Sequence, residues 1–146
     1  MSDDPEEADD ASGNEEPVAE EVRERIESDP FCEKLGIELV DLGPGTATLE
    51  LTITEDMLNF HGTPHGGAVY SLADAAFAAA SNSHGTTAVA LETNMSYLDA
   101  VEVGDTLRAE ARETHMAGRT AEYQIPVTDG GERVATFRGR VYRFVD

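Results

Sequence analysis

The chain has 146 residues, enough for one domain with a hydrophobic core. Thirty acidic residues face ten basic ones, and the resulting net charge of −20 repels nucleic acid and anionic membranes. No stretch reaches the roughly 18 apolar residues that a membrane-spanning helix needs, and the acidic N-terminus lacks an apolar signal-peptide core. We therefore expect a cytoplasmic protein without nucleic-acid or membrane partners. The single cysteine, Cys32, excludes an internal disulfide and a cysteine-based metal cluster.

The acidic excess extends beyond the N-terminal segment. Met1–Pro17 holds eight acidic residues and no basic one, and we expect it to be a disordered leader. The remaining residues, 18–146, still carry 22 acidic residues against ten basic ones and form the predicted domain. An acidic composition with only one lysine is typical of proteins from salt-loving organisms, whose cytoplasm screens the repulsion. An acidic protein from an ordinary cell is the alternative.

The first half of the domain mixes helical and extended patterns. Val18–Leu35 carries apolar residues at helical spacing and predicts one helix, or two short helices broken at Pro30. Two strands joined by a turn of glycine and proline follow, at Ile37–Leu42 and Thr46–Thr54. A long helix is then predicted from Gly66 to Ser81.

After this helix the sequence carries only strand signals, separated by glycine-containing turns. The predicted strands are Thr87–Leu98, Thr106–Thr114, Thr120–Thr128 and Arg133–Phe144. Because there is no βαβ alternation, we expect an α+β fold with one long antiparallel sheet. Alanines and other apolar residues occupy nearly all faces of the helix, so we expect the sheet to wrap it and bury it on all sides.

The long helix carries one charged residue, Asp74, in an otherwise apolar body. An unpaired buried carboxylate is costly and responds with a raised pKa or a partner. A functional carboxylate is therefore one interpretation, and a helix face that reaches solvent is the other. Gly66 and Gly67 open the helix, where N–H groups and the helix dipole can bind an oxyanion. The alternative is a loop that needs only the conformational freedom of glycine.

The spacing of these groups constrains how they can act together. Seven residues separate Gly67 from Asp74, which is about 10.5 Å along a helix. Groups that act on one carbonyl lie about 3–3.5 Å from it. One helix can hardly bring both groups to the same atom, but a symmetric dimer with antiparallel helices can. The sequence therefore predicts that the active form is at least a dimer.

Three motifs carry a family resemblance. They are His65-Gly-Gly with Leu72-Ala-Asp-Ala-Ala-Phe-Ala-Ala-Ala-Ser-Asn82, Gly118-Arg119-Thr120, and Phe137-Arg138-Gly139-Arg140. With them the chain resembles hotdog-fold proteins, and more narrowly the PaaI-type acyl-CoA thioesterases of phenylacetate breakdown and the 4-hydroxybenzoyl-CoA thioesterases. The resemblance covers roughly residues 31–144. It implies an antiparallel sheet around one central helix, two sites per dimer, and hydrolysis of an acyl-CoA to a carboxylic acid and free CoA.

The resemblance also implies roles for individual residues. Asp74 is the candidate base or nucleophile, and Gly67 with Gly66 is the oxyanion site of the other subunit. Asn59 places the thioester or the attacking water, unless it only forms a loop turn. His65 is expected to orient the loop or bond the substrate rather than act as the general base.

Coenzyme A brings phosphates that need cations. Seven of the ten basic residues are arginines in the last third of the chain, which fits an anionic ligand. Arg119, beside a hairpin glycine, is the predicted phosphate contact, although any single arginine can instead form a surface ion pair. His61 and His65 have the spacing of a helical ligand pair, but Gly62 and Pro64 argue against a helix, so neither a metal nor a cofactor is expected.

Three functions fit the pattern to different degrees. The leading hypothesis is an acyl-CoA thioesterase, with an aryl or phenylacetyl substrate implied by the resemblance alone. The alternatives are a hotdog acyl-thioester dehydratase or hydratase, and a non-catalytic acyl-CoA sensor. A homodimer or homotetramer is expected. We expect the walls of the substrate pocket to include aromatic residues, namely Phe60, Tyr70, Phe77 and Tyr97.

Overall fold

The computed structural model describes residues 17–145, and the predicted leader therefore lies outside the described residues except for Pro17. Within the described range the chain forms three α-helices, one 3₁₀ turn at Glu55–Met57 and six strands. In chain order the helices and strands are α1 Glu20–Glu27, α2 Pro30–Leu35, β1 Glu38–Gly43, β2 Thr46–Thr52, α3 Gly66–Asn82, β3 Ala88–Tyr97, β4 Thr106–Ala117, β5 Thr120–Asp129 and β6 Glu132–Arg143.

The N-terminal segment forms two short helices, which confirms the break predicted at Pro30. Pro30 stands in the first turn of α2, where a missing N–H costs nothing. The Asp29 side chain caps this helix by accepting hydrogen bonds from Phe31 N at 2.9 Å and Cys32 N at 3.1 Å. Gly36 ends the helix with a φ of 82°, a conformation that glycine adopts without strain.

The six strands form one antiparallel sheet in the order β1-β2-β4-β5-β6-β3, which confirms the predicted α+β architecture. The chain passes from β2 through α3 to β3, so β3 lies at the edge opposite β1. Strand bounds agree with the predictions within a few residues, although β4 continues past Thr114 to Ala117. α3 packs across all six strands.

The core lies between α3 and the concave face of the sheet. Phe77 of α3 packs against Tyr123 of β5 and Phe137 of β6, with ring centroids 5.9 and 5.5 Å apart. This packing requires a glycine at position 139, because a Cβ on Gly139 would lie 2.6 Å from the Phe77 ring. The Phe-Arg-Gly-Arg motif of the last strand thus has a packing reason for its glycine.

The prediction that α3 is buried on all sides is wrong for one strip of the helix. The sheet buries the opposite side, where Leu72 is fully inaccessible. The accessible residues recur at intervals of three and four, which places them along one face. This open strip consists of Gly67, Ser71, Asp74 and Ala78. The short helices α1 and α2 reach only part of this side, so the strip stays accessible.

Candidate active site

The start of α3 is organised by His65. Its backbone is extended, with φ −70° and ψ 133°, and its side chain caps the helix. The Gly67 N–H donates to Nδ1 of His65 at 2.9 Å. Glycine permits this approach, since a Cβ on Gly67 would lie 3.0 Å from the same nitrogen. Because Nδ1 accepts a hydrogen bond, the neutral ring carries its proton on Nε2, which leaves a donor directed away from the cap. His65 therefore caps α3, and its role toward a substrate stays a prediction.

Gly66 presents an open N–H at the same helix start. No acceptor among residues 17–145 is bonded to its N–H, whereas its carbonyl accepts a hydrogen bond from the Tyr97 hydroxyl at 3.2 Å. A Cβ on Gly66 would lie 3.4 Å from the Tyr97 ring. The positive end of the helix dipole and this N–H together make an anion-binding position.

The loop before α3 is held together by Asn59. Its Oδ1 accepts hydrogen bonds from the N–H groups of His61 and Thr63 at 2.9 and 3.2 Å, and from the Thr63 hydroxyl. The Asn59 carbonyl accepts from Gly62 N at 2.9 Å. Asn59 thus forms the turn that was one of its two predicted roles. Its Nδ2 group donates to no residue in the range 17–145 and stays available to a ligand.

Asp74 lies half-buried in the open strip, two turns into α3. No hydrogen bond or ion pair joins its carboxylate to any residue from 17 to 145. Burial raises the pKa of Asp74 above its ordinary value, and the nearby Asp29 carboxylate raises it further. The Cys32 thiol lies in the same region, and burial together with Asp29 raises its pKa to about 11, so it is protonated and unreactive at neutral pH.

Within one chain the predicted site residues fall into three groups. Asn59, His65 and Gly66 surround the start of α3 together with Gly67. Asp74 is two turns further along the same helix. Arg119 lies beyond the far end of α3, in the β4–β5 hairpin. A single chain therefore does not bring Asp74 to the start of α3, where the oxyanion site is predicted.

Arg119 is exposed, and its guanidinium donates to the Val145 carbonyl at 3.1 Å and the Tyr142 hydroxyl at 3.4 Å. No carboxylate lies within ion-pair distance of it among the described residues. Three other arginines of the C-terminal third have such partners. They form the pairs Arg108–Glu50, Arg138–Glu122 and Arg140–Glu92. Among residues 17–145, no acidic side chain thus neutralises the charge of Arg119.

The four aromatic residues expected to line a pocket do not come together. Phe77 is a core residue, 2% exposed, because its ring fills the space over Gly139. Tyr70 is half-buried and bonds Thr93 through its hydroxyl at 2.6 Å. Phe60 is 92% exposed in the loop before α3. Of the four, only Tyr97 touches the helix start.

Two contacts near the site were not predicted from the sequence, although Tyr97 itself was expected to line the substrate pocket. Asp29 could be predicted as a helix cap from the Asp-Pro pair, but its approach to Asp74 depends on how α2 packs on α3. Tyr97 reaches Gly66 because β3 runs antiparallel to α3, so that the strand end returns to the helix start. Only a tertiary structure shows either contact.

The described part of the chain offers no arrangement of three or more His, Cys, Asp or Glu residues suited to a metal ion. His61 and His65 lie in an irregular loop and at a helix cap, so they do not form a helical ligand pair. Nor does any helix between residues 17 and 145 have the length and apolar character needed to cross a membrane.

Comparison with known proteins finds one matching family profile, that of the thioesterase superfamily, over residues 61–136. The chain is 40% identical to the acyl-coenzyme A thioesterase PaaI of Escherichia coli, over 80% of this chain and 84% of that protein. The structure of E. coli PaaI matches with a TM-score of 0.80 at 38% identity, covering 84% of this chain and 90% of the other.

Two further solved structures are similar. A mutant of the phenylacetic acid degradation protein PaaI from Thermus thermophilus matches with a TM-score of 0.77 at 44% identity, over 80% of this chain and all of that one. A Streptococcus mutans protein bound to acetyl CoA matches with a TM-score of 0.70 at 27% identity, over 73% of this chain and 87% of that one.

Proposed function

The chain belongs to the thioesterase superfamily, and from that membership and the site geometry we propose how it hydrolyses acyl-CoA thioesters. The enzyme class, a thioester hydrolase acting on acyl-CoA, follows from the family and its PaaI relative. The proposal concerns the residues. Asp74 of one subunit and the Gly66-Gly67 helix start of the partner subunit act on the same carbonyl. The observation that supports this most is the accessible carboxylate of Asp74, which has no hydrogen-bond or ion-pair partner between residues 17 and 145.

The sheet edge supports a dimer of the required geometry. β3 is an edge strand with exposed apolar residues, including Val89 and Leu91, and such an edge is a template for a second strand. The Tyr97 end of β3 lies beside Gly66, and its Ala88 end bonds Asn82 at the far end of α3. Antiparallel pairing of β3 with its copy therefore brings each helix start toward the far half of the partner's helix. Such a homodimer can pair again into a tetramer.

Asp74 is proposed to activate the attack on the thioester. As general base it takes a proton from water while the water oxygen bonds the carbonyl carbon. As nucleophile it bonds that carbon itself, and water then cleaves the anhydride. In both routes the C–S bond breaks and CoA leaves as the thiol after protonation. A raised pKa makes the carboxylate a stronger base, which favours either role at neutral pH.

The helix start is proposed to stabilise the negative charge that develops on the carbonyl oxygen. The Gly66 N–H is open, and the Gly67 N–H joins it when His65 turns away from the cap. His65 and Asn59 then supply donors from Nε2 and Nδ2 that place the substrate or the attacking water. The hydrogen bonds from the loop to Asn59 Oδ1 hold this second donor in position.

Arg119 is proposed to contact a phosphate of CoA. Arg143, which pairs with the Ala88 end of β3, donates its N–H to the Arg119 carbonyl, so the two arginines share one end of the sheet. In the proposed dimer this end lies near the partner's helix start. A phosphate there receives charge-assisted hydrogen bonds from a guanidinium that no carboxylate neutralises within the described chain.

The acyl group expected from the resemblance is an aryl or phenylacetyl group, and the relatives named for phenylacetic acid degradation make phenylacetyl-CoA the first candidate of that class. The acidic, lysine-poor composition leads us to propose a salt-loving source. Assays are therefore designed in high potassium chloride, where screening stabilises a chain of this charge.

The test of the proposed function is release of free thiol from acetyl-, octanoyl- and phenylacetyl-CoA, assayed beside hydration of an enoyl-CoA. Release of CoA with Asp74-dependent turnover supports the proposal. Hydration without thiol release indicates a hydratase instead, and tight acyl-CoA binding without either reaction indicates a sensor. Single-turnover hydrolysis in heavy-oxygen water separates the two routes, because only direct attack leaves the label in Asp74.

A further inference from the structure

A cleft of about 470 Å³ lies between the α1–α2 pair and α3. Its volume falls within the roughly 300–1,000 Å³ that small-molecule sites occupy. Its walls are mainly aliphatic and come from α1, the two strands below it, and α3. They include Val22, Ile26, Leu39, Leu49, Ala75 and Ala78. No aromatic residue within the described range lines it.

Three of the polar side chains at this cleft are already engaged in hydrogen bonds. The Ser28 hydroxyl donates to the Arg25 carbonyl at 2.8 Å, and the Asp29 carboxylate accepts from the first N–H groups of α2. Asn82 donates to the Ala78 carbonyl at 2.9 Å and also bonds both backbone groups of Ala88. Arg25 and Glu27 of α1 also line the cleft, and their side chains have no hydrogen bond or ion pair among the described residues. Most of the wall nevertheless offers a ligand hydrocarbon contact.

The cleft opens beside the reacting carboxylate. Ala78 follows Asp74 by four residues on α3, and residues at this spacing lie on one face with Cβ atoms about 5–6 Å apart. Ala75, the residue after Asp74, also lines the wall. Asp29, at the α2 side of the cleft, is close enough to Asp74 to raise the pKa of that carboxyl. A chain attached to a carbonyl at Asp74 can thus enter the cleft directly.

We propose that this cleft binds the acyl group of the substrate and that this group is an unbranched aliphatic chain, in place of the phenylacetyl group that the resemblance implies. The proposal rests on the thioesterase function proposed above and specifies its substrate class. Aliphatic walls bury methylene groups well but provide no ring for aromatic stacking. Each methylene that enters the cleft increases kcat/KM by about fourfold until the cleft is full.

The test is a chain-length profile of kcat/KM, from acetyl- to dodecanoyl-CoA, with phenylacetyl-CoA as the aryl reference. Ala78→Leu narrows the cleft, and we expect the optimum to move to shorter chains, with a loss of at least about tenfold in the ratio of long-chain to short-chain kcat/KM. Ile26→Ala widens the cleft, and we expect the optimum to move to longer chains. Ala19→Leu, the same change just before α1 and outside the cleft lining, should leave the profile unchanged.

The outcomes separate the inference from the function on which it rests. No thiol release from any acyl-CoA by the wild type contradicts the thioesterase function itself. Thiol release with a profile that neither cleft variant shifts, or a preference for phenylacetyl-CoA over every aliphatic chain, contradicts only the assignment of the cleft. If Ala78→Leu prevents folding, as circular dichroism would show, the profile of Ile26→Ala decides alone.

Discussion

The two sides of α3 differ in how far the chain itself covers them. The side toward the sheet is packed by the chain itself, with Phe77 between Tyr123 and Phe137 and no accessible surface at Leu72. The open strip on the other side exposes Gly67 and leaves Asp74 without a partner in the described part of the chain. The same helix thus contributes to a packed core on one side. On its other side it carries candidate site residues that a single chain does not bring together. We infer that the open strip is completed by substrate and by a second subunit.

This contrast implies that substitutions on the two sides act on different quantities. Changes on the sheet side should lower the free energy of unfolding. Changes on the open strip should lower turnover and leave the fold intact. The following predictions test whether turnover and the free energy of unfolding respond separately to substitutions on the two sides.

The largest effect on turnover is expected at Asp74. Asp74→Asn keeps the shape of the side chain but removes the base or nucleophile, and we expect kcat to fall by about 10²–10⁴-fold. The circular dichroism spectrum and the proposed dimer should be retained, because no described residue of the same chain bonds the carboxylate. Steady-state thiol-release kinetics with gel filtration measure both quantities. Retention of most of the activity would remove Asp74 from the mechanism.

The largest effect on stability is expected on the opposite side of the helix. Phe77→Ala empties the space between β5 and β6, and we expect the free energy of unfolding to fall by about 3–5 kcal/mol. Phe31→Ala is the matched control, because Phe31 is 57% exposed and its truncation should change the free energy by no more than about 0.5 kcal/mol. Denaturant unfolding measures the free energy of unfolding of both variants. An equal loss in both would contradict the idea that the sheet side of α3 determines stability.

The pH dependence of turnover reports on the environment of Asp74. Catalysis needs the carboxylate, so kcat/KM should rise through the raised pKa of Asp74, with its midpoint above the ordinary aspartate range. Asp29→Asn keeps the helix cap, since asparagine also caps, but removes the neighbouring charge. We expect its acid limb to move to lower pH. If the acid limb of the Asp29→Asn profile does not shift, a group other than Asp74 controls that limb.

The same pKa has a consequence for stability. A carboxyl with a raised pKa binds its proton more tightly in the folded state than in the unfolded chain. Its contribution to the free energy of unfolding therefore falls as the pH rises through the folded pKa, and stays lower above it. Asp74→Asn should remove this part of the pH dependence, so that at neutral pH the variant is at least as stable as the wild type.

A smaller effect is expected at Arg119. Arg119→Ala removes one charge-assisted contact to CoA, and we expect KM to rise about tenfold with little change in kcat. Arg108→Ala is the control, because Arg108 pairs with Glu50 on the sheet and not with a ligand. Higher salt should reduce the difference in KM between wild type and Arg119→Ala. A fall in kcat with an unchanged KM would place Arg119 elsewhere in the mechanism.

Local sequence patterns were sufficient to predict the helices and strands but not how they pack. The alternation of Thr46–Thr52 predicted β2, and Pro30 predicted the break between α1 and α2. The isolated charge of Asp74 predicted a functional position. The sequence could not show that α3 is open along one strip, because an alanine-rich helix looks equally apolar on every face. Nor could it show that Asp29 approaches Asp74, since that depends on how α2 packs.

The central claim is that each site combines Asp74 of one subunit with the helix start of the other. Asp74→Asn and Gly67→Pro, which removes the Gly67 N–H, should each be inactive alone. Co-expressed in equal amounts, they should regain about a quarter of wild-type activity, because half of the dimers are mixed and each of these holds one intact site. Thiol release by the purified mixed dimer, in which one of the two sites is intact, should reach about half of the wild-type activity. A mixed dimer as inactive as its parents would contradict the account.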